Sequence, residues 1–343
     1  MARRILWAAL ALTPAALVAR YAFDIDETVL FVLSALALVP LAWLIGEATD
    51  QAAQHTGPGI GGFLNASFGN APELIIALLA VGDGLPRVVR GTITGSVVSN
   101  VLLVLGLALF LGGDGELDGR SLRLQLGTVV GAVLLVLVPS AVGWHGGATH
   151  HTLYLVTLPV AAVLLAAYVA ITVANLRIHR RAIELAEPVE GTWPLNRALA
   201  TLAVATLATA FVSEVLVHSL RDFGRAVGLG EFFIAVVIVA LVGNAAEHGG
   251  AVVIARRGNV RLAGEIAVTS SMQVAVFVAP AVALLSWLAG PALPLSFRVV
   301  EVATMGGAAL LALAVVAGGR SRRWTGALLI TAYAAAVVAY AVS

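Results

Sequence analysis

Apolar residues run along this chain in blocks long enough to cross a lipid bilayer, separated by short polar or glycine-rich breaks. A helix crossing the hydrocarbon needs roughly 20 such residues. Blocks of that kind fall near residues 5–19, 28–48, 60–82, 88–112, 124–142, 152–176, 196–218, 228–255, 262–289, 295–317 and 324–342. The stretch from Leu124 to Leu176 holds no Asp, Glu, Lys or Arg and is too long for one crossing; Gly143-Trp144-His145-Gly146-Gly147 divides it. The pattern predicts an all-α polytopic membrane protein of about 11 transmembrane helices, with no room for a separate soluble domain. Residues 177–195 form the one polar connection of any length, carrying Glu184, Glu187 and Glu190, and are expected to be a cytoplasmic linker between two halves.

Composition narrows the class further. Of 343 residues, 60% are hydrophobic and 11% charged, against about 25% charged in soluble domains. That excludes a cytosolic enzyme with a solvated shell, a nucleic-acid binder and a disordered chain. The lipid bilayer is the expected surrounding, in a prokaryotic plasma membrane. Nothing in the composition decides between a monomer and a homo-oligomer. Cysteine is absent, which removes disulfides and thiolate metal sites. The net charge of +1 offers no steering, but the positions of the charges do. All twenty cations are Arg; fourteen fall at the N-terminus or after even-numbered spans and six on the other side. The positive-inside rule then places the N-terminus in the cytoplasm and the C-terminus outside. Arg3-Arg4 and the apolar stretch after them also resemble a signal peptide, and removing residues 1–19 would leave the same bias.

The sequence repeats itself. Gly69-Asn70-Ala71-Pro72-Glu73 recurs as Gly243-Asn244-Ala245-Ala246-Glu247, a shift of 174 residues, and the same shift carries Ser96 onto Ser270 and Ser99 onto Gln273. With residues 1–27 as an accessory first helix, residues 28–176 and 196–343 make two five-helix units. Five is odd, so the second unit enters the membrane from the opposite face: an inverted-topology repeat, the plan of many secondary transporters.

Ionisable residues inside a span cost several kcal/mol, about 3 on insertion scales, and point to function. Glu73 and Glu247 each lie three residues after an Asn, on the same helix face. Pro72, Gly69 and Gly243 are expected to loosen the helix and free backbone carbonyls. Two carboxylates, the amides of Asn70 and Asn244, and hydroxyl or amide oxygens of Ser96, Ser99, Ser270 and Gln273 would form an all-oxygen site. That chemistry suits a hard divalent cation, Ca²⁺ more than Mg²⁺. No Arg is expected at the depth of Glu73 and Glu247 to neutralise them. Glu47 and Glu214, near the ends of spans 2 and 7 and at corresponding places in the two halves, are candidates for gating, proton relay or an interfacial role, and His248 for titrating against the bound ion or filling a polar gap. Glu301 reads as an interfacial residue. Gly57-Pro58-Gly59-Ile60-Gly61-Gly62 matches G-x-G-x-x-G but lacks the preceding strand of a dinucleotide site, and no cofactor is expected. His145, His150 and His151 cluster in one loop as a lesser zinc candidate.

Taken together, the stretch from Gly61 to Leu78, the second copy at Gly243–His248 with Ala251-Val252, and the segments Gly95-Ser96 and Ser270-Ser271-Met272-Gln273 resemble the cation/proton exchangers, specifically the Ca²⁺/H⁺ antiporters. The resemblance implies the inverted-repeat antiporter fold, with Glu73 and Glu247 as central ligands. Related Na⁺/Ca²⁺ exchangers usually carry Gly-Thr-Ser or Gly-Ser-Ser where this chain has Gly-Asn, and His248 follows the second Glu, which favours proton coupling. The short, weakly acidic linker departs from relatives that carry an acidic regulatory helix. The expected function is exchange of Ca²⁺ for H⁺ through competition for Glu73 and Glu247; the alternative is a Na⁺-coupled divalent-cation exchanger.

Overall fold

The computed structural model describes residues 2–184 and 193–342. Glu187 and Glu190 of the expected linker lie outside the described residues, as do the side chains of the Gly57–Gly62 motif. Helix α1 spans Arg3–Ala22 with a turn at Leu10-Ala11. It is followed by α2 (Glu27–Phe68), α3 (Ala71–Gly82), α4 (Pro86–Gly112), α5 (Gly119–Trp144), α6 (His150–Glu184) and α7 (Leu195–Val227). Then come α8, in two pieces (Glu231–Gly243 and Ala245–Arg256) bent by 61°, α9 (Val260–Ala289), α10 (Val299–Val316) and α11 (Arg323–Ala341). Among the described residues, a two-residue strand pair is the exception to an all-helical chain: β1 (Gly115–Glu116) lies antiparallel to β2 (Arg320–Ser321) and ties the connection after α4 to the one after α10.

Local chemistry sets the helix ends. Asp118 and Asn259 accept from the backbone N–H of Ser121 and Leu262, at 3.1 Å each, and so start α5 and α9. Prolines in the first turn start α3 and α4, where a missing N–H costs nothing. Gly228, at φ 72, ends α7 in the left-handed conformation that glycine adopts without strain.

Two expectations are corrected. The apolar pattern predicts a loop between spans 28–48 and 60–82, yet α2 continues to Phe68. Gly and Pro lower helix propensity by about 1 and 3 kcal/mol, a bias that surrounding structure overrides. The break falls instead at Gly69-Asn70, and α3 is left with 12 residues. The expected linker boundary at 177 also lies inside α6, which runs on to Glu184.

The internal repeat is visible in the backbone. Adding 174 to the start of α3 (71) and α4 (86) gives the starts of the second piece of α8 (245) and of α9 (260). Both α4 and α9 widen into a π-helical turn just past the midpoint, at Ser99–Val104 and Val274–Val278. Such turns leave a local misfit that often marks a functional site. Contacts between halves are reciprocal, as a two-fold relation requires. The end of α3 meets the end of α9, where Gly290 has room for no Cβ, which would stand 2.9 Å from the Val81 carbonyl. The end of α4 meets the end of α8, where a Cβ on Gly112 would stand 3.2 Å from the Ala255 carbonyl. Midway, α4 presses on the first piece of α8 so closely that a Cβ on Gly95 would lie 2.6 Å from Ala240 Cβ. Small residues permit this approach between membrane helices. Around this four-helix frame, α2 and α7 pair along their length: Phe31 stacks on Phe223 at 4.1 Å, and Leu44 and Ile45 pack with Leu202 and Ala205. On their outer side, Trp7 of α1 meets Trp43 edge to face at 5.4 Å.

Candidate ion-binding site

Two helix breaks face each other at the centre of the frame. Asn70 and Asn244 are the residues immediately before α3 and the second piece of α8, and Glu73 and Glu247 stand in the first turns that follow. The first turn of a helix carries the unpaired N–H groups and the positive end of the helix dipole, equivalent to about half a unit charge. Each carboxylate therefore sits where backbone polarity favours an anion. The expected freeing of carbonyls at this level is corrected for the two Asn residues. Asn70 O accepts from Leu74 N at 3.1 Å and Asn244 O from His248 N at 2.9 Å, the first bonds of the new helical turns.

Glu73 is 2% exposed, and its side chain lies against Gly243, with Cγ and Oε1 both 3.6 Å from where a Cβ would stand. Its Oε2 accepts no hydrogen bond from the described residues. Glu247, half-buried, accepts a hydrogen bond from Ser270 Oγ and lies four residues beyond Gly243, against which Glu73 rests. Asn70 Nδ2 donates to Gln273 Oε1 at 2.9 Å, joining the first break to α9. Asn244 Nδ2 donates to Ser96 Oγ at 2.8 Å, joining the second break to α4. The structure thus brings Glu73, Glu247, Asn70, Asn244, Ser96, Ser270 and Gln273 together from four helices. Ser99 is buried in the same region, but its hydroxyl turns back to the Ser96 carbonyl at 3.5 Å.

Sequence reasoning missed Asn100, the hub of this network. Its Nδ2 donates to Asn244 Oδ1 at 3.1 Å and to Ser270 Oγ at 3.2 Å, and its Oδ1 faces His248 Nε2 at 3.1 Å. The signal available was an amide next to Ser99 inside a run that is apolar on both sides, Val97-Val98 and Val101-Leu102. His248 therefore joins the cluster through Asn100. The structure does not bring Glu47 or Glu214 there. Glu47 pairs with Arg3 at 2.7 Å, and Glu214 lies on the exposed face of α7. The 174-residue shift carries Glu47 onto Arg221 and Glu214 back onto Pro40, so the two are not counterparts in the repeat.

Glu301 shows how this fold treats a buried acid that it neutralises. It is fully buried in the first turn of α10, held by Arg298 Nε at 2.6 Å and faced by Arg90 Nε at 3.7 Å. No such arginine stands by Glu73 or Glu247 among the described ion pairs. Among the described residues, no three His, Asp or Glu gather to hold a metal, including the His145, His150 and His151 loop, so a cation at the centre would need amide and hydroxyl oxygens besides the two carboxylates.

A helical membrane protein with two inverted repeats, broken spans and paired carboxylates has the plan of a secondary transporter. The chain belongs to the sodium/calcium exchanger protein family, whose pattern matches residues 27–177 and 197–342, one block per repeat. Among its relatives, the Ca²⁺/H⁺ antiporter ChaA of Bacillus subtilis is 37% identical over 317 residues, covering 90% of this chain and 90% of that protein. The Ca²⁺/H⁺ antiporter of Aphanothece halophytica is 35% identical over 330 residues, covering 90% and 88%. The solved structure of native YfkE superposes with a TM-score of 0.85 at 31% identity, over 98% of this chain and all of that one.

Proposed function

We propose that this protein exchanges Ca²⁺ for H⁺ across a plasma membrane by alternating access, with Glu73 and Glu247 binding the cation or protons in competition. The observation that carries this reading is the sealed Glu73 carboxylate. One of its oxygens accepts no hydrogen bond, and it stands beside a second carboxylate with no arginine among the described residues. A buried anion next to a half-buried one, without counter-charge, is costly. A dication relieves that cost directly, and so does protonation; the empty, doubly charged site is the expensive one to reorient. Exchange is then obligatory, because each half-cycle needs one of the two loads. Asn70, Asn244, Ser96, Ser270 and Gln273 complete an oxygen shell of the kind Ca²⁺ accepts. The relatives described as Ca²⁺/H⁺ antiporters support the same pair of ions. The arginine distribution supports a cytoplasmic N-terminus and an external C-terminus, with residues 28–176 and 196–343 as the two working repeats.

The test is Ca²⁺ uptake into vesicles of known orientation under an imposed pH gradient. Glu73→Gln and Glu247→Gln are each expected to reduce uptake to that of protein-free vesicles. Proton-driven flux in either variant comparable with the unaltered protein overturns the assignment, and uptake that follows a Na⁺ gradient while ignoring pH assigns the other coupling ion.

A further inference from the structure

The two halves match in sequence position but not in exposure. On α9 a stripe of residues at helical spacing, Leu262, Glu265, Ile266, Thr269 and Gln273, is exposed or half-buried from the start of the helix to the site. Subtracting 174 gives the matching stripe on α4: Val88, Gly91, Thr92, Gly95 and Ser99. Every one of these is buried, and the two glycines are pressed against α8. One end of the frame is therefore sealed, and the other leaves a seam that leads to Gln273, the partner of Asn70. The open end is the arginine-rich one, where Arg120, Arg123, Arg256, Arg257 and Arg261 are all exposed.

A carboxylate is built into that seam. Glu265 Oε2 accepts from Ser121 Oγ at 3.1 Å and from Gln125 Nε2 at 2.7 Å, both on α5. Gln125 Oε1 in turn accepts from Thr269 Oγ1 at 2.7 Å, one turn closer to the site. Both bonds converge on Oε2 and hold the carboxylate in place against α5. An amide inside this chain of bonds is a poor proton relay, whereas its oxygens are hard donors suited to a passing cation. Arginines around the mouth repel a dication, and Arg261 is offset by Asp118 at 2.7 Å. A fixed negative charge inside the rim restores local attraction, as charge focusing in clefts does.

We propose that Glu265, held by Ser121 and Gln125, is a first docking point for the divalent cation at the arginine-rich mouth, and that Thr269 is the next oxygen on the path to Gln273 and the central pair. From Glu265 to Gln273 is eight residues, about 12 Å along the helix. The inference rests on the Ca²⁺-exchange reading above and adds a sided route to it.

The experiment measures the apparent KM for Ca²⁺ separately on each face, using right-side-out and inside-out vesicles that hold the full chain. Glu265→Gln is expected to raise KM on the arginine-rich face about three- to tenfold at low salt, as loss of a steering charge does. The increase should shrink near 1 M salt, where the screening length falls to about 3 Å. The opposite face should keep its KM, and Glu265→Asp should recover part of the loss. Thr269→Val, which alters no charge, should raise KM on the same face without the salt dependence. Equal changes on both faces, a salt-independent change in Glu265→Gln, or no change at all overturns the proposal. Failure of the underlying reading shows elsewhere, as flux surviving in Glu73→Gln on either face.

Discussion

Asn100 offers the sharpest test of the network, because the 174-residue repeat gives no reason to expect it. Asn100→Ala removes three side-chain hydrogen bonds, of 3.1, 3.2 and 3.1 Å, from a fully buried position. Side-chain hydrogen bonds between membrane helices contribute about 0.6 kcal/mol each on average, so three lost bonds come to about 2 kcal/mol. Asn244 Oδ1 and His248 Nε2 are also left facing an emptied space. Asn244 is buried and His248 only partly so, and one unpartnered buried atom at about 1–3 kcal/mol brings the expected loss to about 3–5 kcal/mol. The measurement is unfolding of the purified protein in mixed micelles as dodecyl sulfate is raised, following helix content. A double-mutant cycle with His248→Ala isolates one of the three contacts and should show a coupling of about 0.5 kcal/mol or more. A loss under about 0.5 kcal/mol for Asn100→Ala, the range of an ordinary surface change, refutes the hub role.

Two further expectations concern the frame. Gly95→Val places a branched side chain where Ala240 Cβ would stand 2.6 Å from even the first added carbon, and should lower the melting temperature; overpacking of this kind costs about 1–3 kcal/mol. Gly46→Ala, with nothing within 4 Å, is the matched control and should melt like the unaltered protein. At the arginine-rich end, a hydrogen bond from the Ser121 backbone, with help from Arg261, holds the Asp118 carboxyl below its ordinary value of 3.8. A lowered folded-state value means that its stabilisation is present above 3.8 and is lost as pH falls below that. Asp118→Asn should flatten that part of an acid-unfolding curve, and an unchanged curve would show that this helix start contributes nothing.

Much of the plan is legible in the residues, because a bilayer imposes long apolar runs and a repeat doubles each signal. The shift of 174 by itself marks both helix breaks and pairs α4 with α9. What stays hidden depends on symmetry being incomplete or on contacts far apart in sequence. Asn100 has Val274 as its counterpart, so pairing one half with the other passes over it. The arginines of Glu301 come from its own helix start and from Arg90 on α4, and no local spacing rule joins Arg90 to Glu301. The continuous α2 overrides a Gly-Pro-Gly sequence that reads as a loop, since propensity is a weak prior beside packing.

The reciprocal closure of α3 on α9, and of α8 on α4, has a consequence in time. The tip of α3 ends at Gly82, and the residue that covers it, Gly290, lies 208 positions later in the chain. At synthesis rates of about 5–20 residues per second, roughly 10–40 s pass between the two. Glu73 is made 170 positions before Gly243, against which it rests, and 200 before Gln273, which holds its neighbour Asn70. The polar centre is thus completed only by the second half of the chain, and a first half made alone carries an acid without the neighbours that enclose it.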